Sequence, residues 1–180
     1  MRTLVHRRHS LREPGTDSLS RAGVALARHI GRSSGRFDRV VASPKTRAVE
    51  TARAMGYRVD DELPELGEMP DEVGRAVGRL PESGFKSLGE LVDRVREVRE
   101  FARAQARAWR AQLEAVPDGG RLLMVSHAGI IELGTVAALG PRCTEWGPGL
   151  GPLEGVEIVG STDGWTRGRV LRVAPDESAP

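Results

Sequence analysis

Three short β-prone runs along this chain are each followed by a stretch of helical periodicity. "RTLV" (Arg2–Val5) precedes "DSLSRAGVALARHIG" (Asp17–Gly31), "FDRVVAS" (Phe37–Ser43) precedes "KTRAVETARAMG" (Lys45–Gly56), and "RLLMVS" (Arg121–Ser126) precedes "GIIELGTVAALG" (Gly129–Gly140). This alternation restricts the chain to an α/β fold. A strand can be followed by a parallel neighbour only through a crossover, and the usual crossover is a helix. The expected architecture is a three-layer sandwich with a mostly parallel central sheet flanked by helices.

Local signals fill in the frame. Asp17, Ser18 and Ser20 are N-cap candidates for the first helix, with Gly31 as its stop, and Gly56 ends the second. The segment from Tyr57 to Glu72 holds a short strand and then an acidic loop with two prolines. From Ser87 to Val116, apolar positions including Leu91, Val95, Val98, Phe101 and Ala102 recur at helical spacing, so one long helix is expected there. "PDGG" breaks it. "EGVEIVG" and "GRVLRVA" read as two late strands joined across Asp163-Gly164, and the tail "PDESAP" is expected to fray. A chain of 180 residues fits a single domain spanning 1–180, within which residues 64–89 break the rhythm and are expected to form a small cap.

Composition narrows the functional classes. The single cysteine, Cys143, rules out an internal disulfide and fits a reducing compartment. The N-terminus lacks the apolar run of a signal peptide, and no run approaches the roughly 20 residues of a membrane helix. A cytoplasmic protein with no membrane partner is expected. Aromatic residues make up 4% and acids are interspersed with the arginines, which argues against a nucleic-acid surface. No metal-ligand spacing occurs, and neither a metal nor another cofactor is expected. The oligomeric state is left open.

The polar clusters fall at strand ends. In open α/β sheets, ligands bind beyond the carboxyl ends of the strands. The first strand ends in Arg8-His9, the second in Ser43-Pro44 with Arg47 just beyond, and the "LLMV" strand in Ser126-His127. Taken singly these are ordinary: a histidine after a strand is more often structural than catalytic, and Glu65 in an acidic loop is normally just solvated. Together they converge on one pocket, rich in guanidinium groups whose paired donors suit a phosphate.

The order of these clusters resembles the histidine phosphatase superfamily, also called phosphoglycerate mutase-like. "RRHS" matches the Arg-His-Gly at the end of its first strand, and "SLSRAG" its Leu-Thr-x-x-Gly. "SPKTRAVETA" (Ser43–Ala52) meets every fixed position of Ser-Pro-x-x-Arg-Ala-x-x-Thr-Ala. "LPE" (Leu63–Glu65), "GE" (Gly89-Glu90) and "SHAG" (Ser126–Gly129) complete the set, over roughly residues 2 to 140. The resemblance implies a metal-independent phosphatase in which His9 is the catalytic nucleophile. Arg8, Arg47 and His127 surround the phosphate, His127 adding a donor when protonated. Glu65 gives a proton to the leaving oxygen, with Glu68 as the alternative acid. It implies a phosphorylated small molecule or a phosphoprotein as substrate. A protein phosphohistidine phosphatase and a catalytically silent phosphate-binding module are the competing readings. Ser10 and Ala128 stand where the family has glycine, and "SLREPGTDS" lacks the family's Thr-x-x-x-Asn. Ser10, or else Thr16, is left as the neutral phosphate contact. His6 and Arg7 have no role in this scheme; strand alternation makes one of them a surface residue and the other buried.

Overall fold

The computed structural model describes residues 1–80, 84–161 and 164–174. The three runs rich in Val and Leu become β1 (Arg2–Arg8), β2 (Arg39–Ala42) and β4 (Arg121–Ser126), and Asp61–Glu62 forms the short β3. Together with β5 (Gly155–Ser161) and β6 (Gly164–Leu171) they make one sheet in the order β3-β2-β4-β1-β5-β6. The first four strands are mutually parallel where they pair, while β5 runs antiparallel to β1 and β6 antiparallel to β5. The sheet is therefore mixed and mostly parallel, as the alternation of runs predicts. Asp163 of the expected hairpin turn and the tail from Pro175 lie outside the described residues.

Helices cover both faces. On one face lie α1 (Arg21–Ser34) and α2 (Thr46–Ala54). Leu26, Ile30, Ala48 and Ala52 pack there on Val5, Val40, Leu123 and Val125. On the other lie α3 (Asp71–Gly78), α4 (Phe85–Arg94), α5 (Arg96–Glu114) and α6 (Ile130–Leu139), which bury Leu4, Leu122, Met124 and Ile158 beneath Trp109, Leu113 and Leu133. Alternate residues of each strand thus serve opposite cores. Because both faces are covered, Leu122 through Ser126 are all fully buried.

The same double burial decides His6. It is fully buried, hydrogen-bonded through Nε2 to Ser126 Oγ at 2.7 Å and edge-on to Trp109 at 4.7 Å, while Arg7 is half-buried. The alternation argument fails because no face of β1 is open to water at that point. Burial drives the His6 pKa down to about 3, so its ring is neutral.

Two helix ends differ from expectation. Ser20 is the N-cap of α1, its hydroxyl accepting from Gly23 N at 3.0 Å, but the helix runs past Gly31 and stops at Gly35, whose φ is 73°. Gly23 and Gly31 serve close packing instead: a Cβ on either would lie 2.1 Å from a carbonyl oxygen, that of Leu11 and of Met55 respectively. The expected long helix is two, α4 and α5, broken at Val95 in extended geometry (φ −113°, ψ 116°). The apolar spacing carries across the break, so periodicity alone hides it. The Arg99 guanidinium donates to the carbonyls of Val92 and Asp93, replacing amide donors that a continuous helix would supply. Between β3 and α4, the acidic loop holds a 3-10 turn, Pro64–Leu66, and α3. Among the described residues no helix is long and apolar enough to cross a membrane.

Candidate active site

The parallel register brings three strand ends together. Arg8 pairs with Ser126 and Ala42 with Val125; beyond the ladder, His9 N donates to Ser126 O and Ser43 N to Val125 O, each at 2.9 Å. His9, Ser43 and His127 therefore emerge at one edge, and the two imidazole rings stand 5.3 Å apart. Arg47, on the first turn of α2, reaches the same place and lies 3.1 Å from His127 Nδ1. Four of the expected site residues, Arg8, His9, Arg47 and His127, lie close together at this edge of the sheet.

Hydrogen bonding fixes both histidine tautomers. His9 Nδ1 lies 2.8 Å from Ser10 O, and a carbonyl only accepts, so the proton is on Nδ1. Nε2 keeps its lone pair. Burial, and then the charges of Arg47, Arg8 and Arg12, hold the His9 pKa down to about 4 against the pull of the Ser10 carbonyl. For His127 the logic runs the other way. An arginine only donates, so Nδ1 accepts from Arg47, and Nε2–H donates to Ser43 Oγ at 2.8 Å. Burial, then Arg47 and His9, lower its pKa to about 3. His127 is neutral here, and its one N–H already donates to Ser43, so it adds a donor only when protonated.

The buried Nε groups of Arg8 and Arg47 have no partner. Guanidinium donors without an acceptor suit an anion. Arg47 Nη1 meets Asp17, whose carboxylate is held below its ordinary pKa by that guanidinium and by backbone N–H groups of Thr46 and Arg47, against a desolvation effect that would raise it. Asp17 thus caps α2 from a distance rather than starting α1.

Ser10 does not join the cleft. Its hydroxyl donates to Gly23 O at 2.7 Å and its N–H to Thr51 Oγ1 at 2.9 Å, and the residue is 1% exposed. The hydroxyl is spent tying β1 to α1, which leaves it no part as a phosphate contact. Thr16, the other substitute, is exposed and bonds within its own turn, to Glu13 O. Glu65 lies in the Pro64–Leu66 turn, exposed, with its backbone carbonyl accepting from Gln105 Nε2 at 2.8 Å. Glu68 is ion-paired to Lys45 at 2.9 Å.

Three contributors were missed in the sequence. Arg12 lies close enough to act on His9 and Arg8, and only its place three residues after His9 hints at this. Gln105 is an interior polar residue of an amphipathic helix, a pattern that flags a buried partner. Glu132, 1% exposed, accepts from Gly129 N at 2.7 Å and Leu150 N at 2.8 Å. Its place three residues after Gly129, at the start of α6, is a capping signal. Among the described residues no group of three or more His, Cys, Asp or Glu side chains is arranged to hold a metal ion.

Comparison with known proteins agrees with this geometry. The sequence model of the histidine phosphatase superfamily (branch 1) matches residues 7–167. No curated protein sequence matches the chain. Among solved structures, phosphoserine phosphatase from Entamoeba histolytica, in complex with 3-phosphoglyceric acid, is 16% identical with a TM-score of 0.70, covering 97% of this chain and 98% of its own. A mycobacterial glucosyl-3-phosphoglycerate phosphatase is 20% identical at TM-score 0.61, covering 97% and 100%. A protein histidine phosphatase complexed with tungstate is 20% identical at TM-score 0.52, covering 93% and 96%. These likenesses show a shared fold.

Proposed function

The chain belongs to the histidine phosphatase superfamily, and from that premise we propose that it hydrolyses phosphomonoesters through a phosphohistidine on His9, without a metal. One observation carries the reading: the Ser10 carbonyl accepts a hydrogen bond from His9 Nδ1–H, which leaves Nε2 unprotonated on a ring close to Arg8 and Arg47.

The chemistry follows from these groups. A phosphate dianion lies on Arg8 and Arg47, whose charges offset its own and stabilise the equatorial oxygens during transfer. Nε2 attacks phosphorus and the ester P–O bond breaks. As positive charge develops on the ring, the Nδ1–H···O=C bond to Ser10 strengthens. Glu65 donates its proton to the departing alkoxide. The resulting carboxylate then takes a proton from water as the water attacks the phosphohistidine. The P–N bond breaks, returning His9, protonated Glu65 and inorganic phosphate. The substrate is a phosphorylated small molecule. Exposure of Glu65 favours a second reading, a phosphohistidine protein substrate, whose leaving group needs less protonation.

Labelled substrate with an acid-free quench tests the proposal. We expect an acid-labile, base-stable phosphoenzyme, and loss of both label and turnover in His9→Ala. Label persisting in that variant would move the nucleophile elsewhere, first to His127.

A further inference from the structure

A cavity of about 580 Å³, a size suited to a small organic group, is lined by Arg8 and by Ala128 and Gly129, which follow His127. Its walls include Met69, Val77, Leu88 and Leu150, drawn from α3, α4 and the chain around them. Met69 also stands over the strand end: a Cβ on Gly129 would meet its Cε at 3.0 Å. Two charged residues line the space, Arg8 and Glu132. Arg8 Nη1 donates to Leu150 O and the remaining Arg8 donors go to the phosphate in the reading above, while the two Glu132 oxygens accept from Gly129 and Leu150 N–H. Among the described lining residues no cation is left over for a second anionic group. A carboxylate placed there would be desolvated beside Glu132 without a partner, which is costly. A separate cavity of about 430 Å³, bordered by Glu90, Asp93 and Arg99, includes none of the strand-end residues and is not placed to take part.

From this charge inventory we infer that the leaving group is uncharged with an apolar body, making the substrate class neutral alkyl or aryl alcohols carrying one phosphate. The inference rests on the phosphatase reading above. It separates this chain from an enzyme built for phosphorylated amino or hydroxy acids, which carry a second ionised group next to the ester. The apolar walls come from Met69, Val77 and Leu88 together with Pro148 and Leu150, so specificity is set by these two segments of the chain.

The test compares propyl phosphate, hexyl phosphate, phosphoserine and 3-phosphoglycerate. In the wild-type chain kcat/KM should rise by about tenfold or more from propyl to hexyl phosphate, since even one methylene in an apolar pocket discriminates by about that much. Hexyl phosphate should exceed both acids by at least as large a factor. Met69→Lys and Val77→Lys, both at half-buried positions, should shrink that gap by raising the rate with the acids and lowering it with hexyl phosphate. Calorimetry with His9→Ala reads the same ranking as affinity, without turnover. Equal or tighter binding of phosphoserine overturns the substrate class whether or not the chain is a phosphatase. Preferred binding of hexyl phosphate without turnover in the wild type supports the class and strikes the hydrolytic reading alone.

Discussion

The two ends of the cleft are built on opposite terms. At the phosphate end, every side chain is held by another polar group: His127 by Ser43 and Arg47, Arg47 by Asp17, His9 by Ser10. His9, Ser43 and His127 sit just beyond β1, β2 and β4, whose ladder fixes their spacing, and Arg47 joins them from α2. At the leaving-group end, the walls are Met69, Val77, Leu88 and Leu150, contributed by α3, α4 and the chain around them. One end is specified by directional bonds and tolerates almost no substitution. The other is specified by volume and apolarity, which many side chains can supply. A fold that keeps its chemistry while changing its substrates needs this division.

Glu65 belongs to neither end, and its variants break the comparison hardest. Glu65→Gln should slow hexyl phosphate by about 10²–10⁴, the usual contribution of a positioned acid. It should barely affect p-nitrophenyl phosphate, whose leaving group departs without a proton. Glu68→Gln should follow the wild type with both. Steady-state kinetics on the two esters decides, and selectivity in Glu68→Gln instead would transfer the acid's role to that residue.

Gln105 sharpens the same point from behind. It is 2% exposed, and its amide holds the Glu65 carbonyl at 2.8 Å. Gln105→Met preserves volume and removes the donor. A hydrogen bond of ordinary net strength corresponds to about a two- to tenfold loss. The loss should appear in kcat for hexyl phosphate, with KM and the p-nitrophenyl ester nearly unchanged. A uniform loss on both esters would mean that Gln105 serves packing alone.

The smallest expected effect is a shift in pH dependence at the phosphate end. His9 must be unprotonated to attack, so kcat/KM should fall as pH drops through its pKa, near 4. Arg12 is one of the charges holding that value down. Removing it in Arg12→Gln raises the His9 pKa toward its ordinary value, so the acid limb should move to higher pH, by up to about one unit. No shift would mean that solvent screens Arg12 from the ring.

How much of this was legible in the sequence depended on what kind of force acted. The parallel sheet and the convergence of Arg8, His9, Arg47 and His127 follow from alternating strands and helices, because local periodicity and the crossover rule suffice. The break at Val95 was invisible: neither Gly nor Pro marks it, and the donor that replaces the lost backbone bonds is a side chain four residues later. The burial of His6 depended on Trp109, about a hundred positions away. Ser10 stood as a substitute phosphate contact because "SLREPGTDS" lacks the family's Thr-x-x-x-Asn; the approach of Gly23 O spends its hydroxyl. Contacts between distant segments decide such cases.

Gly23 has a consequence for mutational data. Its missing Cβ lets α1 press against the Leu11 carbonyl, while its own carbonyl receives the Ser10 hydroxyl one residue from His9. In a saturation scan scored by activity, Gly23 and His9 would look equally intolerant. Scored by protein abundance they would part, since a side chain at position 23 pushes the helix off the sheet while alanine at position 9 leaves the packing alone. Intolerance at this glycine measures how closely two backbones approach, and a map of essential positions drawn from activity alone would extend the active site into a helix that touches no substrate.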